Sequence, residues 1–96
     1  MSQVVWLDEA IDDLQRLRIF LEDKNPSAAQ RVAETLLEGA ELLGKFPEFG
    51  RPMDDDTERR ELVLPFGSRS YVMRYIYSQE TVFILRAWHS RESRSE

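Results

Sequence analysis

The chain contains no cysteine. This excludes a disulfide, a thiolate nucleophile and a cysteine-based zinc site. It has one histidine, His89, so a histidine-rich metal centre is excluded as well. Lysine is nearly missing: Lys24 and Lys45 are the only two, and cationic chemistry rests on arginine. No apolar run approaches the roughly 20 residues that span a bilayer. The N-terminus lacks the basic and apolar regions of a signal peptide, so a cytoplasmic location and no membrane partner are expected. There is no glycine-rich phosphate loop, internal repeat or low-complexity segment. No cofactor and no metal is implied.

Against those absences stand 42% hydrophobic and 32% charged residues, the balance of a folded domain rather than a disordered chain. Ninety-six residues make one domain, 1–96, with a modest core. The net charge of −5 conceals an asymmetry. Residues 1–56 carry six basic and thirteen acidic side chains; residues 57–96 carry seven and five, and all seven are arginine. Arginine suits phosphate and carboxylate recognition.

"VVWL", residues 4–7, reads as a short first strand. Asp8 then caps a helix, with Glu9, Asp12 and Asp13 near the positive end of its dipole. Ala10, Leu14, Leu17 and Leu21 share one stripe, flanked by Ile11 and Phe20, while Ile19 points away. In "NPSAAQ", Asn25 is an N-cap and Pro26 the first residue of a second helix running to about Leu43, with Gly44 as its C-terminal cap. The polar face of this helix carries Glu34, Glu38 and Glu41. The short link predicts an antiparallel helical hairpin. "KFPEFGRPMDDDTE" is a loop, anchored by Phe46 and Phe49. Apolar spacing then becomes alternating: "RELVL", "SYVMRYIY" and "TVFILRAWH" are strands, broken at "PFGS" and "SQE". The order is βααβββ, an α+β fold with a helical hairpin packed on an antiparallel sheet.

Strand parity locates the arginines. With a three-residue turn at "SQE", Val72, Arg74 and Ile76 share a face with Val82, Ile84, Arg86 and Trp88. An unpaired buried arginine is costly, so this face should be the open one. A two-residue turn would flip that register. An apolar patch ringed by arginine fits a partner chain. His89 admits three readings: an acid or base, a structural side chain fastening the last strand near Arg51 or Arg69, or part of a target-binding surface with Arg91.

Several stretches together resemble the RelE/ParE superfamily of toxins from bacterial toxin–antitoxin pairs: "EAIDDLQRLRIFLEDKNPSAAQRV", "ELLGKFPEFGRP", "RELVLPFGSRSYVMRYIY" and "VFILRAWHSRE". They cover nearly the whole chain. The Asn-Pro helix junction, the Phe-Pro-x-Phe-Gly-Arg-Pro loop and the ending Leu-Arg-x-x-His-x-Arg are most similar to the ParE branch. The resemblance implies a toxin neutralised by a cognate antitoxin, a ribbon-helix-helix protein of ParD type. It implies one of two targets. ParE-like members are described as poisons of DNA gyrase; RelE-like members cut messenger RNA on the ribosome without a metal.

A metal-free ribonuclease must deprotonate a 2′-hydroxyl, stabilise a phosphorane and protonate the leaving oxygen. His89 with Arg86, Arg69, Arg74 and Arg51, completed by Glu61 or a tyrosine, would be that set. The negative charge of the chain argues against free nucleic acid as a partner. Gyrase inhibition is therefore the expected function, with Arg86, Trp88, His89 and Arg91 meeting the target. The antitoxin is expected on Glu34, Glu38 and Glu41 and on the sheet face of Val72, Arg74, Ile76, Val82 and Ile84.

Overall fold

The structure, a computed structural model, describes residues 2–92. The element order is β1 (Gln3–Trp6), α1 (Asp8–Glu22), α2 (Pro26–Lys45), β2 (Arg51–Pro52), β3 (Arg59–Phe66), β4 (Arg69–Ser78) and β5 (Thr81–His89). The helical hairpin packs on a five-stranded sheet of order β1-β5-β4-β3-β2. The expected α+β architecture is present, with two refinements. β1 joins the sheet parallel to β5, so the sheet is not wholly antiparallel. Part of the expected loop forms β2, a two-residue strand beside β3.

Local chemistry explains the helix ends. Pro26 opens α2, and the Asn25 side chain accepts the Ala28 N–H at 3.1 Å. α1 starts one residue after Leu7 without a side-chain cap, so Asp8 is its first residue and not its N-cap. α2 continues through Lys45, which places Gly44 inside the helix rather than at its C-terminal cap. Gly44 serves a close approach instead: the Ser2 N–H donates to its carbonyl at 2.8 Å, and a Cβ there would lie 3.0 Å from Val4.

The core forms where the apolar stripes meet. Ala10 and Leu17 from α1 and Val32, Leu36, Ala40 and Leu43 from α2 pack on Leu62, Tyr71, Met73, Tyr75, Val82, Ile84 and Ala87. Ile19 is exposed as expected; so are Phe20, Phe46 and Phe49. Phe46 and Phe49 therefore do not anchor the 46–50 loop. Its backbone is held from the other side: Tyr75 Oη donates to the Pro47 carbonyl at 2.6 Å and accepts the Gly50 N–H at 2.9 Å. Arg60 adds hydrogen bonds to the carbonyls of Glu48 and Gly50. A Cβ on Gly50 would sit 2.6 Å from the Tyr75 ring, so only glycine fits there.

The β4–β5 turn decides the faces of the sheet. Ser78 pairs with Thr81, so the turn is two residues, Gln79 and Glu80, both with positive φ. This is the flipped register. Val82 and Ile84 face the helices, fully buried, and Phe83 lies beside Ile76 on the other side. The register then shifts by one residue at Leu85, so that Arg86 pairs with Arg74 and Trp88 with Val72. Arg74, Arg86 and Trp88 thus occupy neighbouring positions on the open side, through a flip and a compensating bulge. Val82 and Ile84 do not; they belong to the core.

Candidate functional site

The sequence-nominated residues divide between two places. Across the open face run Arg51, Glu61, Arg74 and Arg86, each opposite the next on β2, β3, β4 and β5. Within this row Glu61 pairs with Arg74. Arg74, buried to 7% exposure, donates to Glu61 from Nε at 3.1 Å and from its terminal nitrogen at 2.8 Å, and it stacks 4.9 Å from the Trp88 ring. Arg86 reaches round the edge of β5 to Asp13 on α1, with contacts of 2.8 and 3.2 Å.

Asp13 is the residue that sequence reading missed. It sits on the buried stripe of α1 between Ala10 and Leu17, where a carboxylate needs partners. It accepts the Ala87 N–H at 2.9 Å as well as the Arg86 guanidinium, and Arg16 approaches at 3.4 Å. β1 stops opposite Ile84, so Ala87 offers its N–H where no strand follows; α1 supplies a carboxylate in its place. Burial pushes the Asp13 carboxyl up, but the hydrogen bonds from Arg86 and Ala87 and the charge of Arg86 outweigh it and hold it below its ordinary 3.8. An acid at helical spacing inside an apolar stripe was the available signal.

The second place is a groove of about 640 Å³ between the linked end of the helical hairpin and the ends of β3, β4 and β5. Leu17, Phe20, Leu21 and Ala28 line it from the helices; Phe66, Arg69, Tyr71, His89, Arg91 and Glu92 line it from the sheet. Its aromatic wall is continuous. Phe66 meets Tyr71 edge-on at 5.3 Å between centroids, and Tyr71 meets His89 edge-on at 5.1 Å. Burial, and then the charge of Glu92, push the Tyr71 hydroxyl pKa up, so it stays protonated. Nδ1 of His89 accepts the Arg91 N–H at 3.1 Å, which leaves Nε2 to carry the proton of the neutral ring. Glu92 folds back to the His89 N–H at 2.8 Å and pairs with Arg16 at 2.6 Å, fastening the chain after β5 to α1.

Of the residues nominated for a target, His89 and Arg91 meet in this groove, joined by Arg69. Trp88 lies on the other side of the sheet under Arg74, and Arg86 is at the edge with Asp13. The four do not form one surface. Of the residues nominated for ribonuclease chemistry, His89 and Arg69 are together, while Arg51 lies at the far edge of the sheet, on β2. The structural role weighed for His89 is visible in its Tyr71 and Arg91 contacts, on the Arg69 side rather than the Arg51 side. Glu34, Glu38 and Glu41 are exposed on α2. Val72 and Ile76 are half-buried on the open face. Arg94 lies outside the described residues. Among the described residues no cluster of His, Asp and Glu is placed to hold a metal ion, and no helix is long and apolar enough to cross a membrane.

The sequence and the fold have known counterparts. The chain is 38% identical over 94 residues to Toxin RelE3 of Caulobacter vibrioides, covering 98% of this chain and all of that protein. It is 38% identical over 90 residues to Toxin RelE2 of the same organism, covering 94% and 97%. In fold it is similar to a chain of the chromosomal ParDE toxin–antitoxin system from P. aeruginosa, with TM-score 0.75, 18% identity and coverage of 93% and 96%. It is likewise similar to a chain of the intact E. coli RelBE toxin–antitoxin complex, with TM-score 0.67, 12% identity and coverage of 96% and 100%. The family model described as the ParE toxin of the type II toxin–antitoxin system parDE matches residues 4–94, which takes in the helical hairpin, the sheet and the groove alike. By that match, and by relatives of the same length, the chain belongs to the ParE toxin family of type II toxin–antitoxin systems.

Proposed function

We propose that this toxin acts by binding DNA gyrase and not by cutting RNA. The observation that carries this reading is the state of the arginines. Arg74 is matched to Glu61 and Arg86 to Asp13. Arginines neutralised in this way are poor ligands for an RNA phosphate and good struts for a rigid surface. His89 has one ring nitrogen committed to the Arg91 backbone, and among the described residues the nearby carboxylate, Glu92, is tied to Arg16 and to the His89 N–H. The net charge of −5 also disfavours a field of RNA phosphates. The RelE names of its Caulobacter relatives keep one alternative in play, ribosome-dependent cleavage of messenger RNA.

The cognate antitoxin, of ribbon-helix-helix ParD type, silences the toxin by occupying the groove. An apolar floor that leaves Phe20 at 66% exposure, under a rim containing Arg69 and Arg91, suits an amphipathic segment with acidic flanks. Such a segment would cover His89 and Arg91, the pair nominated for the target, so neutralisation would be direct occlusion. Glu34, Glu38 and Glu41 on α2 offer a second, electrostatic contact for basic antitoxin residues. Val72, Arg74 and Ile76 remain a sheet-face contact; Val82 and Ile84 act only through the core beneath it.

The test uses purified toxin in two assays, DNA supercoiling by gyrase and messenger integrity in a translating extract. Supercoiling should fall and cleaved DNA accumulate while messages stay intact. Message cleavage with gyrase unaffected, slowed by orders of magnitude in His89→Ala, overturns the gyrase reading in favour of the ribonuclease.

A further inference from the structure

The two edges of the sheet are not equally guarded. On the far edge, Met53 N–H donates to the Arg59 carbonyl at 2.9 Å and β2 covers the start of β3. Backbone alternation then leaves Val63 and Pro65 facing outward, and Pro65 has no N–H to offer. Arginine and proline in β2 complete the guard. The near edge has no such device. Gln3 donates to the carbonyl of Glu80 in the turn before β5, at 3.2 Å, and Leu7 to that of Ile84 on β5, at 3.0 Å, so Val4 and Trp6 turn their N–H and C=O groups outward. Among the described residues no strand and no backbone partner meets them. From Ser2 to Leu7 there is neither a charge nor a proline. Where β1 ends, the same edge is carefully closed: the Ala87 N–H and carbonyl are taken by Asp13 and Arg16. The edge is thus sealed on one half and bare on the other.

We propose that the outer edge of β1 is a strand-addition site, filled by an extended, uncharged segment of the cognate antitoxin. This rests on the antitoxin occupying the groove. Four residues of strand bury far less than the roughly 1,200 Å² that a stable dimer needs, so a second copy pairing through β1 alone is not sustained. A partner already held in the groove needs only to extend. α1 connects the two places: its Leu17 lines the groove and its first turn follows β1 directly. That distance is about 15 Å along the helix, which about five extended residues span. Leu7 and Ile11, each more than a third exposed, stand between them in the chain. The added strand would pair with Val4 and Trp6 and set alternate side chains beside Val5, itself 38% exposed, on the open face.

The test is residue-resolved amide exchange, by NMR, on the chain alone and on the complex co-expressed from its operon. In the free chain, Val4 and Trp6 should exchange fast and Val5 and Leu7 slowly. In the complex, all four should be slow. Val4→Pro removes an outward N–H without touching a bond to β5, and should weaken antitoxin binding about tenfold with the circular dichroism spectrum unchanged. Should that variant misfold, Val5→Lys places a charge on the same rim. A complex that forms while Val4 and Trp6 stay fast overturns the proposal and leaves the groove reading standing. Failure of the complex to form removes both. Protection that grows with the concentration of the chain alone assigns the edge to a second copy, and overturns the proposal as well.

Discussion

At the scale of single residues, Asp13 is the side chain with most depending on it. It holds Arg86, closes the Ala87 N–H and ties α1 to β5. Removing one partner from a buried ion pair leaves the other uncompensated, so Asp13→Ala should cost about 3 kcal/mol, read from urea unfolding. The pH dependence has a definite sign. Because the folded carboxyl lies below its ordinary 3.8, its stabilisation is complete above that value and is lost as pH falls through the folded one. The stability gap between wild type and Asp13→Asn should therefore be flat near neutrality and close below about pH 4. A gap that widens in acid would contradict this assignment. Gly50→Ala should also destabilise, by about 2 kcal/mol, since its methyl meets the rigid Tyr75 ring. Asn25, Pro26 and Ile19 were legible in the sequence because their roles are local. The partners of Asp13 and Tyr75 were not, because they lie 73 and 28 residues away in the chain.

At the scale of elements, the helices and the three long strands could be read from periodicity, and the Phe-Pro-x-Phe-Gly-Arg-Pro loop could be seen but not understood. Its phenylalanines suggest burial, yet the loop hangs by its backbone from Tyr75 and Arg60 and turns both rings outward. The β4–β5 hairpin misled for a clearer reason. Tight two-residue turns favour Asn-Gly or Gly, and this one uses Gln79 and Glu80 at φ 51° and 62°. Both faces of β5 are apolar, so alternation could not tell Val82 and Ile84 from Phe83 and Leu85. The strained turn yields a prediction. Glu80→Gly should relieve the left-handed conformation and raise stability by about 1 kcal/mol, a melting shift of about 4–8 °C for a domain of this size. Calorimetry on the two proteins decides it; an unchanged or lower melting temperature would mean that the turn is not under strain.

At the scale of the whole molecule, the acidic hairpin and arginine-bearing sheet meet along the groove, and that junction is where function is proposed. The resemblance to a toxin family was legible from the order of motifs; the groove was not, because it joins Phe20 and Ala28, at the linked end of the hairpin, to Phe66 and His89 on strands far along the chain. Phe20→Ser should leave stability nearly unchanged, since the ring is already two-thirds exposed, but lower antitoxin affinity tenfold or more in titration calorimetry. Equal affinity would move the antitoxin elsewhere. The extra residue at Leu85 also bears on how this sheet tolerates change in length. A strand with one residue out of step behaves like a shifted reading frame: everything downstream changes sides until a second shift restores it. The tight turn makes the first shift and Leu85 the second, so Thr81 to Ile84 are the residues of β5 read in the displaced frame. Deleting Leu85 would therefore straighten the strand and move nothing: Arg86 would still lie opposite Arg74, Trp88 would stay on the open face and His89 in the groove. Pairing Leu85 itself with Arg74 is what would carry the displaced frame to the end of β5, bringing Trp88 opposite Tyr71 on the groove side and turning His89 to the open face.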